Sequence, residues 1–258
     1  MHVGNWGVNP YLLFDQKVDY SFDEDDLSLL RGGLSQTGLH HLESDMILDI
    51  HRGDRRPLMA LLLALLPNLA VIRAHVPSHD PYLMAVLQHA LNEQTRGQDT
   101  SSLLGHLREL FIFAEVWLPA EIPEEENLSD TPRAPLKLDG LWPVLFLPTM
   151  RKLYLYDLET EGISTLIEKT QHDQTCYIDD LLLKTLDESS CRAADIRALI
   201  KLPKALLNCS LSINRRPGFR QTDIFKMPML DIWKSLHDHQ KELRYLDILY
   251  LVYHSNIT

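Results

Sequence analysis

Six stretches of the chain share the spacing L-x-x-L-x-L, in which each L position holds leucine or another apolar residue. The first copy, within LMALLLALLPNLAVIRA, shows a whole unit: an apolar run, a turn containing proline, and then the spaced apolar positions. First positions of successive copies lie 38, 43, 28, 28 and 37 residues apart, which indicates a degenerate repeat with insertions. These repeat positions are Leu69, Ile72 and Ala74; Leu107, Leu110 and Ile112; Met150, Leu153 and Leu155; Ile178, Leu181 and Leu183; Leu206, Cys209 and Leu211; and Leu243, Leu246 and Ile248.

Each unit combines the patterns of two elements. Alternate apolar residues are typical of a strand with one buried face, and the preceding apolar run is typical of a helix that covers it. Neither element can bury its apolar face alone, so the units should stack. The pattern predicts an α/β fold: a degenerate leucine-rich-repeat-like solenoid with a curved, largely parallel sheet and outer helices. We expect an irregular N-terminal capping region with a short helix over 1–38, one repeat domain of about six units over 39–258, and a surface loop at 120–135.

The most apolar stretch, Arg55–Pro81, also raises the possibility of a membrane anchor. Its nine consecutive apolar residues end at Leu66, where Pro67 and Asn68 interrupt them, whereas a spanning helix needs about 20. We therefore expect no membrane association. The stretch is predicted to form a helix over 57–66, a turn at 67–68 and an inner strand over 69–75.

Three further helices are predicted from local signals. Asp80 is suited to cap a helix that has Pro81 at its first position. A second helix should follow the serine pair at 189–190. The third places three apolar residues at helical intervals, namely Leu230, Trp233 and Leu236.

Charge and cysteine content restrict the partners and the compartment. With 25 basic and 36 acidic residues the formal net charge is -11, which argues against binding to nucleic-acid phosphates. The three cysteines, Cys176, Cys191 and Cys209, have no CxxC spacing and suit a reducing compartment. The first residues show no basic segment followed by an apolar one, as a secretory signal would. A cytoplasmic or nuclear location is expected.

Patterns of catalytic or metal chemistry are not found in the sequence. It has no G-x-S-x-G, no phosphate-binding glycine motif and no H-E-x-x-H. We therefore expect no catalytic residues, no cofactor and no metal. The histidine-containing candidates are better explained as surface or hydrogen-bonded side chains, and Cys191 as an inert thiol; the candidates are His75 with His79 and Asp80, His40 with His41 and Asp45, and His237 with His239.

The repeat region resembles a known family. The segments LLALLPNLAVIRAHVP, LREL, LPTMRKLYLYDLE, ADIRALIKLPKALLNCSLSI and SLHDHQKELRYLDI are similar to the degenerate leucine-rich repeats of fungal F-box-type proteins. The resemblance covers roughly Leu58 to Leu251, and no F-box is evident before it. It implies the substrate-binding region of a ubiquitin-ligase receptor, with ligase subunits as further partners.

Residues between the buried strand positions should line one concave surface. Aromatic and charged side chains together on such a surface are typical of protein interfaces. We expect a non-catalytic protein–protein interaction module. The alternatives are rings covered by neighbouring loops, rings buried in a sheet covered on both faces, and an α/β enzyme of unrecognised type. The expected partner-binding residues are Arg73, His75, Glu109, Phe111, Phe113, Lys152, Tyr154, Tyr156, Asp180, Lys184, Tyr245 and Asp247, with Val71 and Leu182 between them.

Overall fold

Helices and strands alternate along the chain in the computed structural model, which describes residues 2–5, 23–96, 103–115, 135–170, 174–185, 192–215 and 229–252. The predictions for Cys191 and for nearly all of the loop at 120–135 lie outside these residues. Within them, short 3-10 turns lie at His40–Leu42 and Trp142–Phe146. The helices are α1 (Glu24–Gln36), α2 (Glu43–His51), α3 (Arg56–Ala64), α4 (Pro81–Thr95), α5 (Ile163–Thr170), α6 (Ala193–Lys201) and α7 (Met229–His237). The strands are β1 (His2–Asn5), β2 (Val71–Val76), β3 (Glu109–Ala114), β4 (Lys152–Leu158), β5 (Asp180–Thr185), β6 (Asn208–Arg215) and β7 (Tyr245–Val252).

All of these strands form one sheet in which every neighbouring pair is parallel. The spatial order is the chain order, β1 to β7. A parallel pair requires a crossover connection, and a helical segment indeed precedes each strand from β2 onward. The predicted α/β class, with a parallel sheet and helices, is confirmed.

Strand register aligns the repeat positions of neighbouring copies. The middle and last positions of each copy pair with the same positions of the next copy. In β2 to β6 these side chains are at most 3% exposed, whereas the two in β7 are half-buried. One core therefore runs along the sheet and closes less completely at β7. The two paired lines are Ile72, Leu110, Leu153, Leu181, Cys209 and Leu246, and Ala74, Ile112, Leu155, Leu183, Leu211 and Ile248.

The strands also begin with the same backbone hydrogen bonds. The carbonyl oxygen of Ala70, just after a first repeat position, accepts from the N–H groups of Arg108 and Glu109 at 2.9 and 3.1 Å. Equivalent carbonyls accept two N–H bonds at each of the next four strand pairs, and they belong to Arg108, Arg151, Asp179 and Leu207. Because these hydrogen bonds recur, the strands begin at equivalent positions, and side chains at equivalent positions face the same side of the sheet.

The predicted helix, turn and strand in the most apolar stretch are confirmed to within two residues. Helix α3 begins at Arg56 and ends at Ala64, and β2 begins at Val71. The N-cap prediction for α4 is also confirmed, because Asp80 Oδ1 accepts from the N–H groups of Tyr82 and Leu83, each at 3.0 Å. Along the described ranges, no helix has both the length and the apolar composition needed to cross a bilayer.

Predictions for the last two helices need correction or fall outside the described residues. Helix α7 buries Ile232 and Leu236, while Trp233 is 61% exposed. Successive helical residues are about 100° apart, so Trp233 points away from the face that its neighbour Ile232 presents to the core. At α6 the N-cap is Arg192, without a capping side chain, and the serine pair lies outside the described residues.

The N-terminal segment contributes more regular structure than its sequence indicates. Strand β1 pairs with β2 and matches His2 to Arg73. Helix α1 begins after a capping box formed by Asp23 and Asp26 and buries Leu30 and Leu34 against the common core. The region expected to be irregular therefore supplies a strand at one edge of the sheet.

Candidate functional site

The residues expected to bind a partner lie on one face of the sheet, opposite the face that carries the buried repeat positions. Alternation is regular in β3 and β5, where half-buried and buried side chains follow one another. We call this surface the aromatic face. Its side chains from β2 to β7 are Val71, Arg73, His75, Glu109, Phe111, Phe113, Lys152, Tyr154, Tyr156, Asp180, Leu182, Lys184, Asn208, Ser210, Ser212, Tyr245, Asp247 and Leu249.

A first row of stacked groups crosses β2, β3 and β4. The guanidinium of Arg73 lies over the ring of Phe111, 4.5 Å from its centroid. Phe111 stacks on Tyr154 with ring centroids 4.4 Å apart. The register pairs all three residues directly, so parallel strands hold the row in place.

A second row lies beside the first, two residues further along the same strands. His75 stacks on Phe113 at 4.9 Å, and Phe113 stacks on Tyr156 at 4.2 Å. His75 Nδ1 lies 3.3 Å from the carbonyl oxygen of Ala114, which fixes one edge of the imidazole. Burial raises the pKa of Tyr156, and the nearby charge of Arg73 partly opposes this rise.

Charged residues of β3, β4 and β5 lie at the start of the strands, next to the first row. Lys152 Nζ and Glu109 Oε1 are 2.8 Å apart, and this hydrogen bond raises the pKa of Lys152. The hydroxyl of Tyr154 donates to Asp180 Oδ2 at 2.7 Å. Burial and this bond to Asp180 raise the pKa of Tyr154. The two carboxylates closest to the rings are thus engaged by groups of the sheet itself.

The half of the aromatic face formed by β5, β6 and β7 carries smaller or isolated groups. Tyr245 is 56% exposed, and Asp247 lies beside Ser210 of β6. The sequence-based set omitted four residues, although the spacing of the repeat positions in the last two copies places them on this face: Asn208, Ser210, Ser212 and Leu249. The structure therefore concentrates the predicted rings on β2 to β4.

Histidine and cysteine side chains show no metal-binding arrangement in the described part of the chain. His239 is buried and hydrogen-bonded to backbone groups, and Asp80 caps α4. Cys176 and Cys209 are buried free thiols, and burial raises the pKa of each to about 12. Such thiols are poor nucleophiles and poor metal ligands.

A small cleft lies away from the aromatic face. Its volume is about 160 Å³, below the ~300 Å³ at which small-molecule sites usually begin. The cleft holds one carboxylate and no histidine or cysteine among its lining residues, which are Gln36, Thr37, Ala64, Leu65, Pro67, Glu93 and Leu103. This lining suits neither nucleophilic nor metal-assisted catalysis.

The chain matches no protein-family model, no curated protein and no solved structure. The resemblance of its repeats to those of fungal F-box-type proteins therefore stays a prediction. What the chain can bind has to be inferred from the aromatic face.

Proposed function

We propose that the chain is a non-catalytic protein-interaction module, built as a degenerate leucine-rich-repeat-like solenoid, that binds a partner protein on its aromatic face. Three observations support the solenoid. Strands follow one another in chain order, the repeat positions pair copy to copy, and the same backbone hydrogen bonds recur at five strand pairs.

The two stacked rows are the observation that carries the binding proposal. Phe111, Phe113, Tyr154 and Tyr156 remain only half-buried on a sheet whose opposite face is buried. Clusters of rings left in partial contact with water are uncommon on surfaces that bind nothing, because that contact is unfavourable. Aromatic and arginine side chains also contribute most to binding free energy in protein interfaces. The rows already stack, so little side-chain entropy remains to be lost on binding.

The family resemblance extends this proposal to a type of partner. We propose that the chain resembles the substrate-binding region of a ubiquitin-ligase receptor and that ligase subunits are further partners. Its few cysteines favour the cytoplasm or the nucleus as the compartment.

The proposal is tested by replacing two rings of the aromatic face, Tyr154→Ala with Tyr156→Ala. Affinity purification with quantitative mass spectrometry compares proteins captured by the wild type and by the double variant. Because ring truncations at interface centres cost ~2 kcal/mol or more, specific partners should fall at least about tenfold. The matched control is Tyr177→Ala, since Tyr177 is an exposed tyrosine outside the aromatic face. Ligase subunits should appear among the captured proteins.

Circular dichroism and thermal unfolding test whether the double variant folds, and we expect that it does. An unchanged set of captured proteins in a folded double variant would contradict binding through the aromatic face. Loss of folding would instead mean that the rings stabilise the core. If the chain catalyses a reaction, and substitutions outside the aromatic face abolish that activity, the alternative of an α/β enzyme would be favoured.

A further inference from the structure

The carboxylates next to the ring rows have partners within the sheet. Glu109 pairs with Lys152 at 2.8 Å, and Asp180 accepts from the hydroxyl of Tyr154 at 2.7 Å. Asp247, the remaining carboxylate of the aromatic face, is on β7, three strands from Tyr154. Negative charge close to the rings is therefore already engaged.

Two cations on the same face are in a different situation. Arg73 is exposed, and its guanidinium lies over Phe111 at 4.5 Å. Lys184 is on β5, at the other side of the rings. Within the described ranges, neither Arg73 nor Lys184 has a carboxylate at ion-pair distance, in a chain of net charge -11. In the described part of the chain, two positive charges beside the rings therefore have no carboxylate to pair with.

We propose that the aromatic face binds an acidic peptide segment of its partner, in which a carboxylate is held by Arg73 next to an apolar or aromatic side chain that packs on the ring rows. This inference rests on the proposed function and names the chemistry of the partner. A guanidinium donates two parallel hydrogen bonds to a carboxylate, and the ring of Phe111 keeps the guanidinium plane oriented. Phosphopeptide sites usually use clusters of arginines, whereas Arg73 is the one arginine on the aromatic face among the side chains that the structure describes.

The positions of the cations also suggest the spacing of the acidic residues. Arg73 is in register with Leu182 of β5, and Lys184 lies two residues beyond it. Three strand spacings of about 4.8 Å and two residues of about 3.3 Å place the two backbone positions ~16 Å apart. An extended segment covers that distance in about five residues. Because alternate residues of an extended segment face the same side, a second carboxylate is therefore expected about four or six positions from the first.

A displayed library of short random peptides, selected against the purified full chain, tests the inference. Enriched sequences should contain an acidic residue beside an aromatic or large apolar one. Synthetic peptides from the selection should bind Arg73→Gln roughly ten- to a hundredfold more weakly than wild type, since one charge-assisted bidentate contact is lost. Arg73→Lys should recover part of this loss, and binding should weaken with added salt. The control is Arg108→Gln, because Arg108 is an exposed arginine outside the aromatic face.

The outcomes separate this inference from the proposed function. Peptides that need Tyr154 and Tyr156 but are neutral or basic, or that tolerate Arg73→Gln, would overturn the acidic partner and leave the binding surface in place. Enrichment of phosphorylated forms only, in a parallel phosphopeptide library, would also overturn it. If the wild type enriches no peptides, or if substitution of Tyr154 and Tyr156 leaves peptide binding unchanged, both the acidic partner and the binding surface would be overturned.

Discussion

Asp80 has two oxygens in opposite situations. Oδ1 caps α4 through two backbone N–H bonds, while Oδ2 is buried and has no hydrogen-bond partner in the described part of the molecule. Burial raises the pKa of this carboxyl, and the charge of Arg56 opposes the rise. The carboxyl that caps α4 is therefore one whose ionised form is disfavoured in the folded state.

We expect Asp80→Asn to be at least as stable as the wild type at neutral pH, because asparagine keeps the capping oxygen and removes the buried charge. A carboxyl with a raised pKa in the folded state contributes stability below its ordinary value, 3.8, and loses it as the pH rises through the raised value. The advantage of the variant should shrink as the pH falls toward 3.8. Urea unfolding at several pH values measures this.

The control for this prediction is Asp80→Ala, which removes both the charge and the cap. It should be less stable than Asp80→Asn by about 1 kcal/mol at every pH. A pH-independent difference between Asp80→Asn and the wild type would contradict the account of the buried charge.

At the scale of elements, His239 connects the last helix to the preceding unit. Its Nε2 donates to the carbonyl oxygen of Ile200 in α6 at 2.8 Å, and its Nδ1 accepts from the N–H of Leu206 at 3.3 Å. At Leu69, Leu107 and Met150, first repeat positions like Leu206, the N–H instead bonds to a carbonyl three residues earlier. At Leu206 the imidazole of His239 thus takes the place of the backbone carbonyl as hydrogen-bond acceptor, and the bond joins two repeat units instead of closing a turn.

His239→Ala should destabilise the protein by about 2–4 kcal/mol, because it leaves a buried N–H of Leu206 and a buried carbonyl of Ile200 without their partner. His237→Ala is the matched control, since that histidine is exposed at the end of α7, and it should change the free energy of unfolding by less than about 0.5 kcal/mol. Chemical denaturation followed by circular dichroism gives both values. Equal effects would show that the two bonds contribute nothing.

Elements with strong periodicity or capping signals could be predicted, and the others could not. The repeat positions identified the core side of six strands. Alternate apolar residues recur at the same positions in every copy, as expected when neighbouring strands pair in register and bury one face. Strand β1, with the sequence HVGN, is too short to show a period. The exposure of Trp233 was missed because the predicted residues were spaced three apart, and that spacing does not distinguish the buried face of a helix from the face next to it. Its neighbour Ile232, four residues before Leu236, was the better signal.

The site could be predicted as a face but not as a set of contacts. Alternation placed Phe111 and Tyr154 on the same side of the sheet from the sequence alone. Their stacking, and the pairing of Glu109 with Lys152, depend on lateral neighbours 43 residues apart in the chain. Such neighbours are known only once the register is known.

For the whole molecule, burial of equivalent positions varies along the sheet. Leu181 and Leu246 occupy the same repeat position, on either side of Cys209. Leu181 is 1% exposed in the middle of the sheet, whereas Leu246 is half-buried at its edge. Among the strands that the structure describes, β7 has a neighbour on one side only, so the apolar residues of its unit are less completely covered.

Leu181→Ala should therefore cost about 2–5 kcal/mol of unfolding free energy, the range for a fully buried leucine. Leu246→Ala, the matched substitution at the edge, should cost about 1–2 kcal/mol, because less surface is removed from contact. Hydrogen exchange should show the β7 amides opening before those of β5. Equal costs and equal protection would contradict a gradient along the sheet.

The agreement of strand order with chain order also affects how the protein is made. A ribosome adds roughly 5–20 residues per second, so the 28 to 43 residues between the starts of successive strands from β2 to β7 emerge in about 1–9 s. Each new strand finds its lateral neighbour already synthesised, because each described strand from β2 onward pairs with its immediate predecessor in the chain. We expect the sheet to grow during translation, with the apolar side of each finished strand uncovered for a single such interval.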